Sequence, residues 1–167
     1  MSGERRYAAR VGRVQRGSGE GSWFVEFGGE CHAAVREGGV IMDGGRRGGG
    51  HIDTWILERL RRVAWMFNTE RSGPGDTTMQ YAFMGKVAVL VDEMTSSDAE
   101  IFAAGIQRLG LGKVIGMRSW GGAVGYGSNP ELSLVAGSGV TLPSLRPPAG
   151  DRRVVEQPGV VPDIAVA

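Results

Sequence analysis

The pattern of apolar and polar positions is clearest between residues 85 and 125. Residues 86–92 carry Val87, Val89, Leu90 and Val91 and predict a buried strand. A polar corner follows, then a helix entered at Ser97, a second apolar strand and a glycine turn. Upstream, residues 10–15 alternate weakly and predict a strand, and Val40, Ile41 and Met42 predict a short buried one. Residues 23–36 space Trp23, Phe27, Cys31 and Val35 by four and predict a helix, weakened at Gly28 and Gly29 by about 1 kcal/mol each. Residues 52–67 predict an amphipathic helix. Ile52, Ile56, Leu60, Val63 and Phe67 lie on one side, Glu58, Arg61 and Arg62 lie away from it, and Trp65 falls off the stripe to cover a neighbouring segment.

Residues 68–85, with Gly73-Pro74-Gly75, read as a linker. Residues 132–136 and 140–142 read as two strands of a hairpin turning at Gly137-Ser138-Gly139. Residues 145–151 form a proline-rich loop, and 154–166 are extended in character. Strands alternating with helices predict an α/β layer fold. The chain is 167 residues long, enough for one domain with a real core, set at residues 10–167 behind a frayed stretch 1–9.

Composition changes this picture little. Hydrophobic residues make up 41% and charged residues 22%, as in ordinary globular chains. A net charge of +1 gives no argument for nucleic acid or an acidic membrane as partner. Cys31 is the single cysteine, so no internal disulfide forms and a reducing compartment is expected. No stretch has the length of a membrane span, and the first 22 residues lack a signal-peptide core, so the expected location is the cytoplasm. Glycine is the outlier at 29 residues and predicts many tight turns.

Ser97 is the candidate nucleophile. Helix-start N–H groups lack intrahelical partners and carry partial positive charge, so a serine held there faces a site suited to an oxyanion. The competing reading is a capping box, because Glu100 stands three residues later. On spacing alone the cap is the commoner role for such a serine. One hydroxyl cannot both cap tightly and attack freely, and Ser96 and Thr95 are rival caps that would release Ser97. The loop Asp43-Gly44-Gly45-Arg46-Arg47-Gly48-Gly49-Gly50 lies between a strand and a helix. Such a loop can cradle phosphate, but its spacing fits neither the P-loop nor the dinucleotide fingerprint. His32 and His51 are the two histidines. His32 reads as a packing or surface residue, and His51 directly follows Gly50.

The run Ser96-Ser97-Asp98-Ala99-Glu100-Ile101-Phe102, with Gly110-Leu111-Gly112, Ile115-Gly116 and Arg118-Ser119-Trp120-Gly121-Gly122 downstream, resembles the catalytic region of tricorn and tail-specific (C-terminal processing) serine proteases. Ala99 replaces that family's glycine and Ser119 its threonine. The segment Val155-Glu156-Gln157-Pro158-Gly159-Val160-Val161-Pro162-Asp163-Ile164 resembles the family's terminal signature. The resemblance spans residues 10–167 and is strongest over 85–166. It implies a crotonase- and Clp-protease-like architecture of β-β-α repeats.

The resemblance also implies that Ser97 attacks a peptide carbonyl while backbone N–H groups of Asp98 and Gly50, with Gly49 as the alternative, hold the oxyanion. In the family's glycine loop, Gly45 and Arg47 stand where relatives have arginine and asparagine. Glu156 is implied to support the histidine of a Ser-His-Ser-Glu tetrad; on its own it reads as a surface glutamate. Asp163 reads as structural, holding a turn. The Trp120-Gly121-Gly122 turn is expected near the substrate cleft, against the alternative of a buried tryptophan beside a turn. Asn68 matches a position where an acid in tricorn implies a preference for basic residues at the cleavage site; Asn68 is neutral, and Glu70 is the nearby acid that would substitute.

The family's Ser-His pair and PDZ-like segment are expected upstream of this chain, so the base is expected from elsewhere in a larger protease or from another chain. The implied partners are peptide or unfolded-protein substrates and further copies in a homo-oligomer; no metal or organic cofactor is implied. Two other functions stay open: an inactive relative kept as a peptide-binding or assembly module, and a crotonase-like acyl-CoA enzyme.

Overall fold

The computed structural model describes residues 9–12, 38–46, 50–69, 71–72, 75–133, 139–143 and 155–166. The expected helix at 23–36, the frayed 1–9 stretch apart from Ala9, the 145–151 loop, Gly49, Glu70 and His32 lie outside them. Strands β1 (Ala9–Gly12), β2 (Gly39–Asp43), β5 (Lys86–Val91), β6 (Lys113–Gly116) and β9 (Ile164–Ala165) form one sheet in the order β1-β2-β5-β6-β9. Every neighbouring pair in it is parallel. The α/β expectation is met in this form.

Register follows the apolar pattern. Val40 pairs with Val87, Met42 with Val89 and Val89 with Val114, so large side chains stack across the sheet. In β5, Val87, Val89 and Val91 are buried while Ala88 and Leu90 are half-buried, as expected where both faces of a parallel sheet are covered. Ile56 and Leu60 of α1 (Asp53–Leu60) and Ala103, Ala104 and Ile106 of α2 (Asp98–Arg108) join these valines in one core with Phe83 and Val160. The two helices approach closely at Gly105, where a Cβ would lie 2.5 Å from Leu57 Cδ1.

The sequence expectation for residues 52–67 needs correction. The helix ends at Leu60, and Met66–Asn68 is a strand, β3, paired antiparallel with β4 (Asp76–Thr78). Val63 and Phe67 are 73% and 64% exposed, so the apolar stripe stops at Leu60. Trp65 and Phe67 favour strand over helix, and pairing with 76–78, opened by Trp65 N–H to Thr78 O at 3.1 Å, outcompetes a further helical turn. The 68–85 stretch is therefore not a mere linker: it holds β4 and buries Ala82 and Phe83. The two expected strands pair antiparallel, but β7 (Tyr126–Ser133) starts earlier than its apolar run and Gly139 belongs to β8 (Gly139–Pro143) rather than to the turn; residues 134–138, with Gly137 and Ser138 of the expected turn, lie outside the described residues. The extended 154–166 stretch contains a turn at 156–158 before β9.

Because β2, β5 and β6 are adjacent and parallel, the loops leaving their carboxyl ends emerge side by side, where ligand sites of α/β sheets gather. These are the glycine loop from residue 44, the corner 92–97 and the turn 117–125. Gly44 N–H donates to Leu90 O at 2.9 Å and Met117 N–H to Val91 O at 3.1 Å, continuing the ladder into them.

Candidate active site

Ser97 sits at the N-terminus of α2 with φ 55° and ψ −125°. A non-glycine residue there is strained by about 1–3 kcal/mol and persists only if its surroundings hold it. A serine on a sharp, strained strand-to-helix turn is also how an attacking hydroxyl is exposed above a sheet. The backbone is held firmly. Ser97 N–H lies 2.8 Å from Gly122 O and 3.0 Å from Glu100 Oε2. The Ser97–Glu100 capping box is in place, and Glu100 N–H also lies 2.9 Å from Ser97 O. Neither rival serves as the cap, for the N-cap residue is Ser97 itself.

Glu100 is fully buried, as are Thr95 and Ser119. Its Oε1 accepts from Ser119 Oγ at 2.5 Å and Gly121 N at 2.7 Å. Its Oε2 accepts from Gly122 N at 2.9 Å and Ser97 N at 3.0 Å. Ser119 Oγ accepts in turn from Val160 N at 2.7 Å. Gly121 has φ 92°, and a Cβ there would collide with Gln157 O. Among the described residues no buried side-chain polar atom lacks a hydrogen-bond partner.

The glycine loop is tied to the corner by Asp92 and Thr95. Asp92 Oδ1 accepts from Arg46 N at 2.9 Å and Met94 N at 3.0 Å. Thr95 Oγ1 accepts from Asp92 N at 3.0 Å, and its proton faces Gly44 O at 3.0 Å and Asp92 Oδ1 at 3.1 Å. Burial pushes the Asp92 carboxyl up, but the donors from Arg46, Met94 and Thr95 outweigh it and hold the group below its ordinary value.

Farther along the loop, Asp98 Oδ2 accepts from Ile52 N at 3.1 Å, and a Cβ on Gly50 would lie 3.4 Å from the same oxygen. Gly50 and the start of α2 are thus neighbours. Burial first, then the hydrogen bond and negative charge of Asp53, push the Asp98 carboxyl up to about 6.

The glycine loop, the serine corner and the Trp-Gly-Gly turn thus leave the carboxyl ends of neighbouring parallel strands. The family model of peptidase family S41 matches residues 21–166. The chain belongs to peptidase family S41. S41 members are serine peptidases, and similar members are tricorn proteases. The chain is 33% identical over 129 residues to the tricorn protease of Thermoplasma acidophilum, covering 77% of this chain and 12% of that protein. It is 32% identical over 123 residues to the putative tricorn protease homolog 2 of Streptomyces coelicolor, covering 74% and 10%. This S41 chain therefore spans about a tenth of those relatives' length. The crystal structure of the tricorn protease superposes with a TM-score of 0.67 at 31% identity, over 79% of this chain and 13% of that one. The photosystem II D1 C-terminal processing protease shares the fold, with a TM-score of 0.63 at 19% identity over 93% and 42%.

The remaining expected site residues of the S41 chain are spread unevenly. Glu156 Oε2 accepts from Ala123 N at 2.7 Å and Val124 N at 2.8 Å, so this half-buried glutamate grips the main chain beyond the Trp-Gly-Gly turn. Trp120 is 64% exposed, which rules out the buried-tryptophan alternative, and its N–H donates to Thr95 O at 3.0 Å. His51 is exposed beside Gly50. Asn68 lies on the β3–β4 hairpin, its Nδ2 donating to Asp76 Oδ1 at 2.8 Å. Asp163 is structural but braces a strand rather than a turn: its Oδ2 accepts from Val114 N at 2.8 Å, and its N–H donates to Val114 O at 2.8 Å. Among the described residues no three His, Cys, Asp or Glu side chains are grouped to hold a metal ion, and no helix is long and apolar enough to cross a membrane.

Sequence reasoning missed Asp92 and Asp53, saw Thr95 only as a rival cap and Ser119 only as a motif position, and saw Glu100 only as a cap partner. A signal existed for Glu100. It falls on the stripe of α2 that buries Ala103 and Ala104, where a carboxylate needs several donors.

Proposed function

We propose that this chain is the nucleophile-bearing part of a serine peptidase acting on peptides or unfolded polypeptides. The observation that carries the reading is the strained Ser97 at the start of α2, whose next residue, Asp98, has its carboxylate against the glycine-loop residue Gly50. Ser97 Oγ attacks the peptide carbonyl carbon as its proton passes to a histidine. The carbonyl oxygen becomes an oxyanion that the N–H groups of Gly50, or Gly49, and Asp98 stabilise. The C–N bond then breaks, the amine takes the proton from the histidine, and water hydrolyses the Ser97 ester. The helix dipole of α2 favours the same negative charge.

Glu156 supports the histidine system through Oε1, since Oε2 is committed to Ala123 and Val124. The histidine is the one that the family resemblance assigns to a Ser-His pair N-terminal to this region, in a larger protein whose β-β-α architecture is that of crotonases and Clp protease. Trp120, Gly121 and Gly122 line the cleft, and Asn68 lies where basic side chains of the substrate are read. Equal cleavage of peptides with basic and neutral P1 residues would remove that last assignment.

The test is labelling of the intact protein with a fluorophosphonate probe. Mass spectrometry should find the adduct on Ser97, and Ser97→Ala should abolish it. An intact protein that takes up no probe and hydrolyses no unstructured peptide, yet binds peptides regardless of Ser97→Ala, belongs to the inactive, peptide-binding alternative. Light scattering of the intact protein reads the homo-oligomer.

A further inference from the structure

We infer that Glu100 is a positioning residue that locks the Ser97 elbow to the Trp120-Gly121-Gly122 turn, so that nucleophile and cleft wall form one rigid piece. A carboxylate has about four lone-pair sites. All four are used here, two per oxygen, by Ser119 Oγ, Gly121 N, Gly122 N and Ser97 N. Three of these donors are main-chain N–H groups that cannot turn into acceptors. The fourth, Ser119, accepts from Val160 N and is thereby oriented to donate.

The arrangement explains how the strain at Ser97 persists. Ser97 N–H is held at once by Glu100 Oε2 and by Gly122 O, so relaxing φ would break bonds on both sides. It also explains why the shape-identical glutamine is no substitute. Whichever way the side-chain amide of Glu100→Gln is turned, its NH₂ group faces a fixed N–H donor: Gly121 on one side, Ser97 and Gly122 on the other. A capping-box glutamate at a helix surface needs only one of these bonds. Full burial with four donors is a different role.

The catalytic consequence rests on the peptidase reading, but the lock does not, and two readouts separate them. Glu100→Gln in the intact protein should speed amide hydrogen exchange at Ser97, Gly121 and Gly122 by about tenfold or more while Val89 and Val114 in the sheet keep their rates. It should slow fluorophosphonate labelling of Ser97 by a similar factor under conditions where the fold is intact. Exchange that accelerates in a protein whose wild type never labels upholds the lock and sinks only the peptidase reading. Unchanged exchange at those three amides in folded Glu100→Gln overturns the inference. If Glu100→Gln fails to fold, Ser119→Ala serves, since it removes one donor and leaves the carboxylate. Faster exchange at Gly121 and Val160 with slower labelling supports the lock, and wild-type values at both overturn it.

Discussion

The Asp98 carboxylate crosses from the start of α2 to the N–H of Ile52, 3.1 Å away, just before α1 begins. It brings the first turns of two helices together. Asp53 is the first residue of α1, so the bridge places two acidic groups side by side. Each favours its own helix start, and together they repel.

Burial first, and then the hydrogen bond and charge of Asp53, give Asp98 a pH signature. The folded Asp98 holds its proton to about pH 6, above the ordinary 3.8. Its contribution to stability is therefore fully present below about pH 4 and is lost as pH rises through 6. Asp53→Asn removes the opposing charge. The stability of Asp53→Asn relative to wild type should rise by about 1 kcal/mol between pH 4 and pH 8, after allowance for solvent screening. Urea unfolding at the two pH values measures it, and a difference that is flat with pH would refute the pairing.

Strain at Ser97 makes a second expectation. Replacing an N-cap serine by glycine ordinarily destabilises by a few tenths of a kcal/mol. Here glycine relieves a backbone conformation that is costly for serine, so Ser97→Gly should be more stable than wild type by about 1 kcal/mol while losing all probe labelling. Thermal denaturation checks the sign; a loss of stability would mean the elbow is not strained.

Thr95→Val keeps the volume and removes the hydroxyl. Gly44 O and Asp92 N–H then lose a partner in a buried place. The expected loss is about 1–3 kcal/mol. Labelling of Ser97 should also slow, because the glycine loop is released from the corner. A variant as stable as wild type in guanidinium would show the staple to be dispensable.

The central β5-α2-β6 unit was legible because its signals agree. Val87, Val89 and Val91 give a buried strand, Ser97 with Glu100 gives a helix start, and Gly110 follows the end of the helix. The break after Leu60 was not legible, since no glycine or proline stands between Arg61 and Asn68 and only pairing with Asp76–Thr78 stops the helix. Ser97, Gly50 and Asp98 could be named from their motifs, and the structure makes the latter two neighbours. The work of Glu100, Thr95 and Asp92 could not be read, because each bridges chain segments whose proximity is a property of strand order. A D-x-x-T corner and an acid on an apolar helix stripe carried hints of it, but not the identity of their partners.

The closing stretch of the fold has a bearing on biosynthesis. Glu156, Val160 and Asp163 engage the 123–124 amides, the Ser119 hydroxyl and β6 respectively. A nascent chain halted before residue 155 has its serine already translated but none of these braces. The serine corner and its neighbouring turn therefore gain these braces only once translation has passed residues 155–166.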